Sequence, residues 1–170
     1  MKPEKIKVNR TLEGNIFEIV FLVLLIAVWV FIILALKKAP DVVPTHFDAV
    51  GHATSYDSKY SILFVTIFTS IGGIIMLGSA YYPHTINIPV KVKTPRQYLL
   101  AIRMMRVLSL TLLALTATIA YTSLVAGTHG EPSAIPILAT VGVMFAVIVI
   151  FNVLIYKASW LVISRTGLSS

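Results

Sequence analysis

The sequence predicts an all-α integral membrane protein, built as a bundle of four transmembrane helices. Three observations predict it. The 170 residues are 57% hydrophobic and 12% charged, with a mean hydropathy of +0.88, whereas soluble domains carry roughly 25% charge. Four stretches each approach the ~20 apolar residues needed to cross a bilayer core. Most Lys and Arg residues fall on one side of those stretches. The chain has no cysteine, which excludes a disulfide framework, a thiol nucleophile and Cys-based zinc or iron–sulfur sites. A net charge of +7 on so apolar a chain points to a lipid bilayer with an anionic inner leaflet as partner, not to nucleic acid.

The chain reads as a single membrane domain, 1–170. The first span, 16–36, is interrupted only by Glu18 near its start. Lys2, Lys5, Lys7 and Arg10 before it resemble the basic end of a signal peptide. The apolar run is too long for one, and Leu36-Lys37-Lys38-Ala39-Pro40 is a poor cleavage site, so this helix is expected to be retained. An outward loop, 37–60, leads to the second span, 61–82, which lies between Lys59 and Pro83. A cytoplasmic link, 83–97, precedes the third span, 98–127. Thr94-Pro95 reads as the start of that third helix, an N-cap followed by proline where its missing N–H costs nothing. A short outward loop, 128–133, the fourth span, 134–156, with Asn152 as its one strongly polar residue, and a cytoplasmic tail, 157–170, complete the chain.

Orientation follows from the positive-inside rule. Lys2, Lys5, Lys7, Arg10, Lys91, Lys93, Arg96, Arg103, Arg106, Lys157 and Arg165 lie on one side, and only Lys37, Lys38 and Lys59 on the other. Eleven against three predicts cytoplasmic N- and C-termini.

Within the spans, Arg103 and Arg106 are three residues apart and share a helix face. They either reach toward anionic head groups or pair with Glu18, a carboxylate at the same level of the first helix that gains from a partner. Ala114, Thr118, Thr122 and Ala126 form a row of small residues that lets helix backbones approach closely. Thr69 with Gly73, and Gly142 with Ala146, repeat that spacing once each. The row suits packing within the bundle, or association with a second copy or another membrane protein. The segment 1–15 reads as a surface helix or a tail.

The outward loop carries most of the chemistry: KKAPDVVPTHFDAVGHATSYDSKY. Pro40 and Pro44 keep its start extended, and Gly51 permits a turn. His46, Phe47, Asp48, His52, Tyr56 and Asp57 then crowd a short, constrained stretch, with Lys59 at the mouth of the second helix. The other outward loop adds His129 and Glu131.

Pro44-Thr45-His46-Phe47-Asp48, then Gly51, then Asp57-Ser58-Lys59 entering a membrane helix, resembles the Pro-x-His-Phe-[Asn/Asp]-x-x-Gly…Ser-Lys signature of the SdpI-type small membrane proteins. There it lies in an N-terminal domain of unknown function, DUF1648, in the outward loop between the first two helices. The resemblance covers roughly the first two spans and their loop. It implies a bacterial or archaeal plasma-membrane (inner-membrane) protein. The family's best-known type protects against a secreted membrane-active peptide and relays that signal by holding a transcriptional repressor at the membrane. Two features differ here. Four spans stand where that type has a further domain, and Thr54-Ser55-Tyr56 replaces the usual acidic or tryptophan-bearing step. Repressor capture is therefore not expected.

His46, Asp48, His52 and His129 are the candidates for a metal site, since His and carboxylate ligands suit zinc. Their spacing matches no standard zinc motif. The same loop equally suits a structural role, with His46 fixing it to the helix ends, or direct contact with a peptide. No nucleophile elbow, phosphate-binding loop or dinucleotide fingerprint occurs, and the spans offer little for an ion path. The expected function is therefore a protective or sensory membrane protein, neither enzyme nor cofactor carrier. Its ligand-binding residues are His46, Phe47, Asp48, Lys59, His129 and Glu131, supported structurally by Pro44, Gly51, Glu18, Arg103 and Arg106. The alternatives are an accessory subunit of a larger membrane complex or transporter, and a metal-dependent enzyme at the outer leaflet.

Overall fold

A computed structural model describes residues 9–83, 92, 94–126 and 133–166, with side chains described as far as Ala158. Among the described residues four helices are long and apolar enough to cross a membrane, as the composition predicts, and a two-stranded hairpin joins the first two. Helix α1 spans Leu12–Lys38. It starts where Thr11, in extended conformation, accepts a hydrogen bond from the Gly14 N–H, and it stops at Ala39. Pro40 follows, and the residue before a proline is driven away from helical geometry. Glu13 in the first turn and Lys37 and Lys38 in the last complement the helix dipole. The hairpin strands β1 (Val42–Phe47) and β2 (Ala53–Ser58) lead into α2, Ser61–Ser79.

Helix α3, Pro95–Tyr121, begins as its Thr94-Pro95 pair predicts. Thr94 accepts from the Gln97 N–H, and the Gln97 carboxamide oxygen accepts from the Thr94 N–H, a reciprocal cap. The helix continues into a π-helical turn, Thr122–Ala126. Helix α4 spans Ile135–Thr166, and its part Ile135–Ala158 is long and apolar enough to cross a membrane.

Helix α3 is the hub, since each of the other three packs against it. Lipid tails are as apolar as leucine, so close packing and hydrogen bonds, not exclusion of water, hold such helices together. Thr116 donates to Thr69 at 2.8 Å, joining α3 to α2, and the Trp29 indole donates to Ser70 at 3.2 Å, joining α1 to α2. The Gln97 carboxamide donates to the Ile155 carbonyl at 3.1 Å, joining α3 to α4. Gly73 lets α2 close on its neighbours: a Cβ there would lie 3.2 Å from the Phe21 ring and 3.5 Å from the Ser109 carbonyl.

The small-residue row of α3 is only partly at a seam. Thr122 is buried, but Ala114 faces out, and the threonine that bonds across to α2 is Thr116. Gly142 and Ala146 also lie on the outside of α4. The exposed residues of α1, including Ile19, Leu22, Val23 and Ile26, are those a lipid-facing helix presents.

At the end of the bundle near the N-terminus, α1 and α3 are joined by charge. Arg103 grips Glu13 through two hydrogen bonds of 2.8 and 2.9 Å, and Arg106 lies 3.8 Å from the same carboxylate. Glu18 pairs instead with Arg10 at 3.7 Å and accepts a hydrogen bond from Tyr81. The arginines therefore meet Glu13 and not Glu18, one helical turn away. Arg106 is 4% exposed and its guanidinium lies over the Phe17 ring. Gly14 makes room for it: a Cβ there would come within 2.5 Å of an Arg106 nitrogen.

Candidate functional site

The loop between α1 and α2 folds as an antiparallel hairpin. Val42 and Val43 favour extended backbone, and Pro44 cannot donate to the ladder, so the register shifts between Pro44 and His46 and again before Phe47. The sequence alone gives the extended start and the turn; the return strand, with its polar Thr54-Ser55-Tyr56, carries too weak an alternation to declare itself.

The turn is closed by Asp48. Its carboxylate accepts from the Val50 N–H at 3.0 Å and the His52 N–H at 2.8 Å, and its own N–H donates to the His52 carbonyl. Gly51 completes the turn at φ 94°, a conformation that side chains resist. Gly51, the buried residue of the turn, then docks on the start of α4: Ala134 donates to the Gly51 carbonyl at 2.9 Å, and His52 bridges to Ser133.

The base of the hairpin is held by Lys59, whose side chain is 13% exposed. Its ammonium lies 3.1 Å from Asp41 and donates to the Ala39 carbonyl, the open C-terminal end of α1. Val43 points inward, 1% exposed, into a small core with Ile32, Ala35 and Ala39 of α1, Ile62 of α2, and Ala120 and Leu124 after it on α3 and its π turn. The hairpin is therefore anchored to every helix of the bundle.

Beneath it lies a cleft of about 280 Å³, lined by Thr45, His46, Phe47 and Asp57 of the hairpin, Ser61, Ile62 and Val65 of α2, Ile119 and Ser123 of α3 and its π turn, and Ile137 of α4. The Thr45 hydroxyl, an imidazole, a carboxylate and the Phe47 side chain line the hairpin side, and three isoleucines, a valine and the hydroxyls of Ser61 and Ser123 line the bundle side. One π turn bulges the end of α3 at the cleft, a distortion frequent at functional sites. Beside it Thr122 Oγ1, fully buried, has no hydrogen-bond partner among the described residues.

Of the residues the sequence singles out, the structure brings His46 and Phe47 to the cleft, with Thr45 held 3.2 Å from His46 Nδ1. Asp48 and Lys59 are engaged elsewhere, closing the turn and tying the hairpin to α1. Pro44 and Gly51 shape the strand and the turn. His129 and Glu131 lie outside the described residues. Asp48 and His52 are 3.6 Å apart, but no group of three metal-ligating side chains converges among the described residues. Sequence reading missed Ser61, Ile62, Val65, Ile119, Ser123 and Ile137 as lining residues. Only the rotation of each helix about its axis turns them toward the cleft, and apolar spans show little periodicity from which to read it.

Backbone donation, above all from His52 and then from Val50, holds the Asp48 carboxyl below the ordinary carboxylate range, against an opposing effect of burial. A lowered native pKa means that the turn gains stability above the unfolded-state pKa and loses it as pH falls through the native one. Amide NMR shifts of Val50 and His52 should therefore hold from neutral into mildly acid solution and move together below the usual carboxylate pKa. In Asp48→Asn, which keeps an acceptor but does not titrate there, that step should vanish.

Residues 23–69, from α1 through the hairpin into α2, match a family described only as a domain of unknown function, DUF1648. No curated protein and no solved structure matches the chain. Fold and site together define a multi-pass helical membrane protein with a hairpin-capped cleft. The family match falls on the segment that builds the hairpin.

Proposed function

We propose that this is a protective (immunity) or sensory protein of a prokaryotic plasma membrane, SdpI-like in type, with cytoplasmic termini and the hairpin outside. Its hairpin and the cleft beneath contact a peptide or envelope ligand, and the protein is not an enzyme. The observation that carries the reading is the cleft itself. It places His46 and Phe47 of the signature at one end of the bundle, where polar and apolar surfaces meet. The charge bias between the two sides of the membrane supports that end as the outward one.

The test is survival of a peptide-sensitive host challenged with secreted membrane-active peptides. Wild-type protein should protect it. His46→Ala and Phe47→Ala, matched for membrane abundance, should fall to the level of a host without the protein. In the same cells, a cysteine placed at Ser55 should react with an impermeant reagent from outside and one at Lys93 should not. Absence of protection at full expression, or labelling of both from one face, overturns the proposal.

A further inference from the structure

The chemistry of the cleft narrows the class of ligand, on the reading above that this end of the bundle faces the ligand. Among its described lining residues are one carboxylate, Asp57, and one imidazole, His46, but no lysine or arginine. Lys59, the cation nearest in sequence, is turned to Asp41 and the end of α1. The floor is mainly apolar, with Ile62, Ile119 and Ile137 beside Ser61 and Ser123, and Val65 carries the surface onto the outside of α2, where Val65 is 45% exposed. One wall is thus polar and anionic, and the other continues toward the lipid.

An anionic head group brought here would meet a carboxylate and no compensating cation among the described lining residues, which is unfavourable. A cation would find an opposite charge. We infer that the cleft binds an amphiphilic amine, with its ammonium at Asp57 and its apolar chain along Ile62, Ile119 and Ile137. The Asp57 Oδ1 atom already accepts from the Ser58 N–H at 2.6 Å, which fixes the carboxylate and leaves Oδ2 for the ligand. Such a group is the side chain or terminus of a cationic, membrane-active peptide, reduced to its simplest form.

The experiment uses the full chain in nanodiscs of zwitterionic lipid, with isoleucine methyl groups labelled for NMR, and compares dodecylamine with dodecanoate at neutral pH. Dodecylamine should shift the Ile62, Ile119 and Ile137 methyls saturably, and dodecanoate should bind about tenfold more weakly or not at all. Asp57→Asn, close in shape and still able to accept from Ser58, should weaken the amine by about tenfold while leaving the remaining methyl spectrum unchanged. Ile137→Trp, which fills the cleft, should abolish the shifts.

Equal binding of the two amphiphiles, or undiminished amine binding by Asp57→Asn, overturns the inference. Amine binding without protection of the host would support it while removing the protective role. Protection without amine binding would overturn it and leave that role standing.

Discussion

Gly51→Ala should detach the hairpin turn from α4. Gly51 has φ 94° and is buried, and an added Cβ would lie 3.3 Å from the Ala134 nitrogen and 3.5 Å from Ser133 Oγ. The backbone strain alone costs of order 1–3 kcal/mol. The crowded atoms are those of the segment whose Ala134 N–H donates to the Gly51 carbonyl. Relief of either strain moves the turn off that bond. The absence of native cysteine allows a direct reading. Cysteines replacing His52 and Ser133, which face each other across the bridge, stand at a separation suited to a disulfide. They should oxidise readily in the parent and poorly with Gly51→Ala. Gly142→Ala, where nothing lies within 4 Å of the new Cβ, should leave the cross-link unchanged.

Glu13→Ala should loosen the opposite end of the bundle. Arg106 is 4% exposed, and Glu13 is its only carboxylate within 4.0 Å among the described residues. Removing that carboxylate strands a buried cation, at a cost of about 1–3 kcal/mol. Arg103→Ala should cost less, about 0–1 kcal/mol, because both partners of that pair are well exposed. Unfolding titrations in mixed micelles would separate the two. If stranding is the cause, the Glu13→Ala penalty should shrink in an Arg106→Met background. An equal loss in both backgrounds would refute it.

The fold class was legible because bilayer chemistry leaves so few choices: four long apolar runs must be helices that satisfy their own backbone. Capping was legible too, since Thr94-Pro95 and the prolines act through local geometry. Which arginine meets which acid was not, because Glu13 and Glu18 differ by little more than a helical turn. The site was legible in part. His46 and Phe47 stand in the distinctive stretch and reach the cleft, whereas Asp48 and Lys59, equally prominent in sequence, close a turn and cap a helix. Charge in a loop indicates engagement, but not with what. The isoleucines of the cleft carry no signal distinguishing them from those that face lipid.

The hairpin's hydrogen bond from Ala134 has a consequence for biogenesis. The strands lie between the first two helices in the chain, so they emerge early, but the residue that seats their turn is made much later. At about 5–20 residues per second, the hairpin waits several seconds, with α1 and α2 already inserted, for the start of α4. Chain order therefore sets the order of assembly: the first three helices come before the contact that seats the turn. A ribosome stalled before α4 should leave a membrane-inserted chain whose hairpin remains open to protease, and completion of the chain should close it.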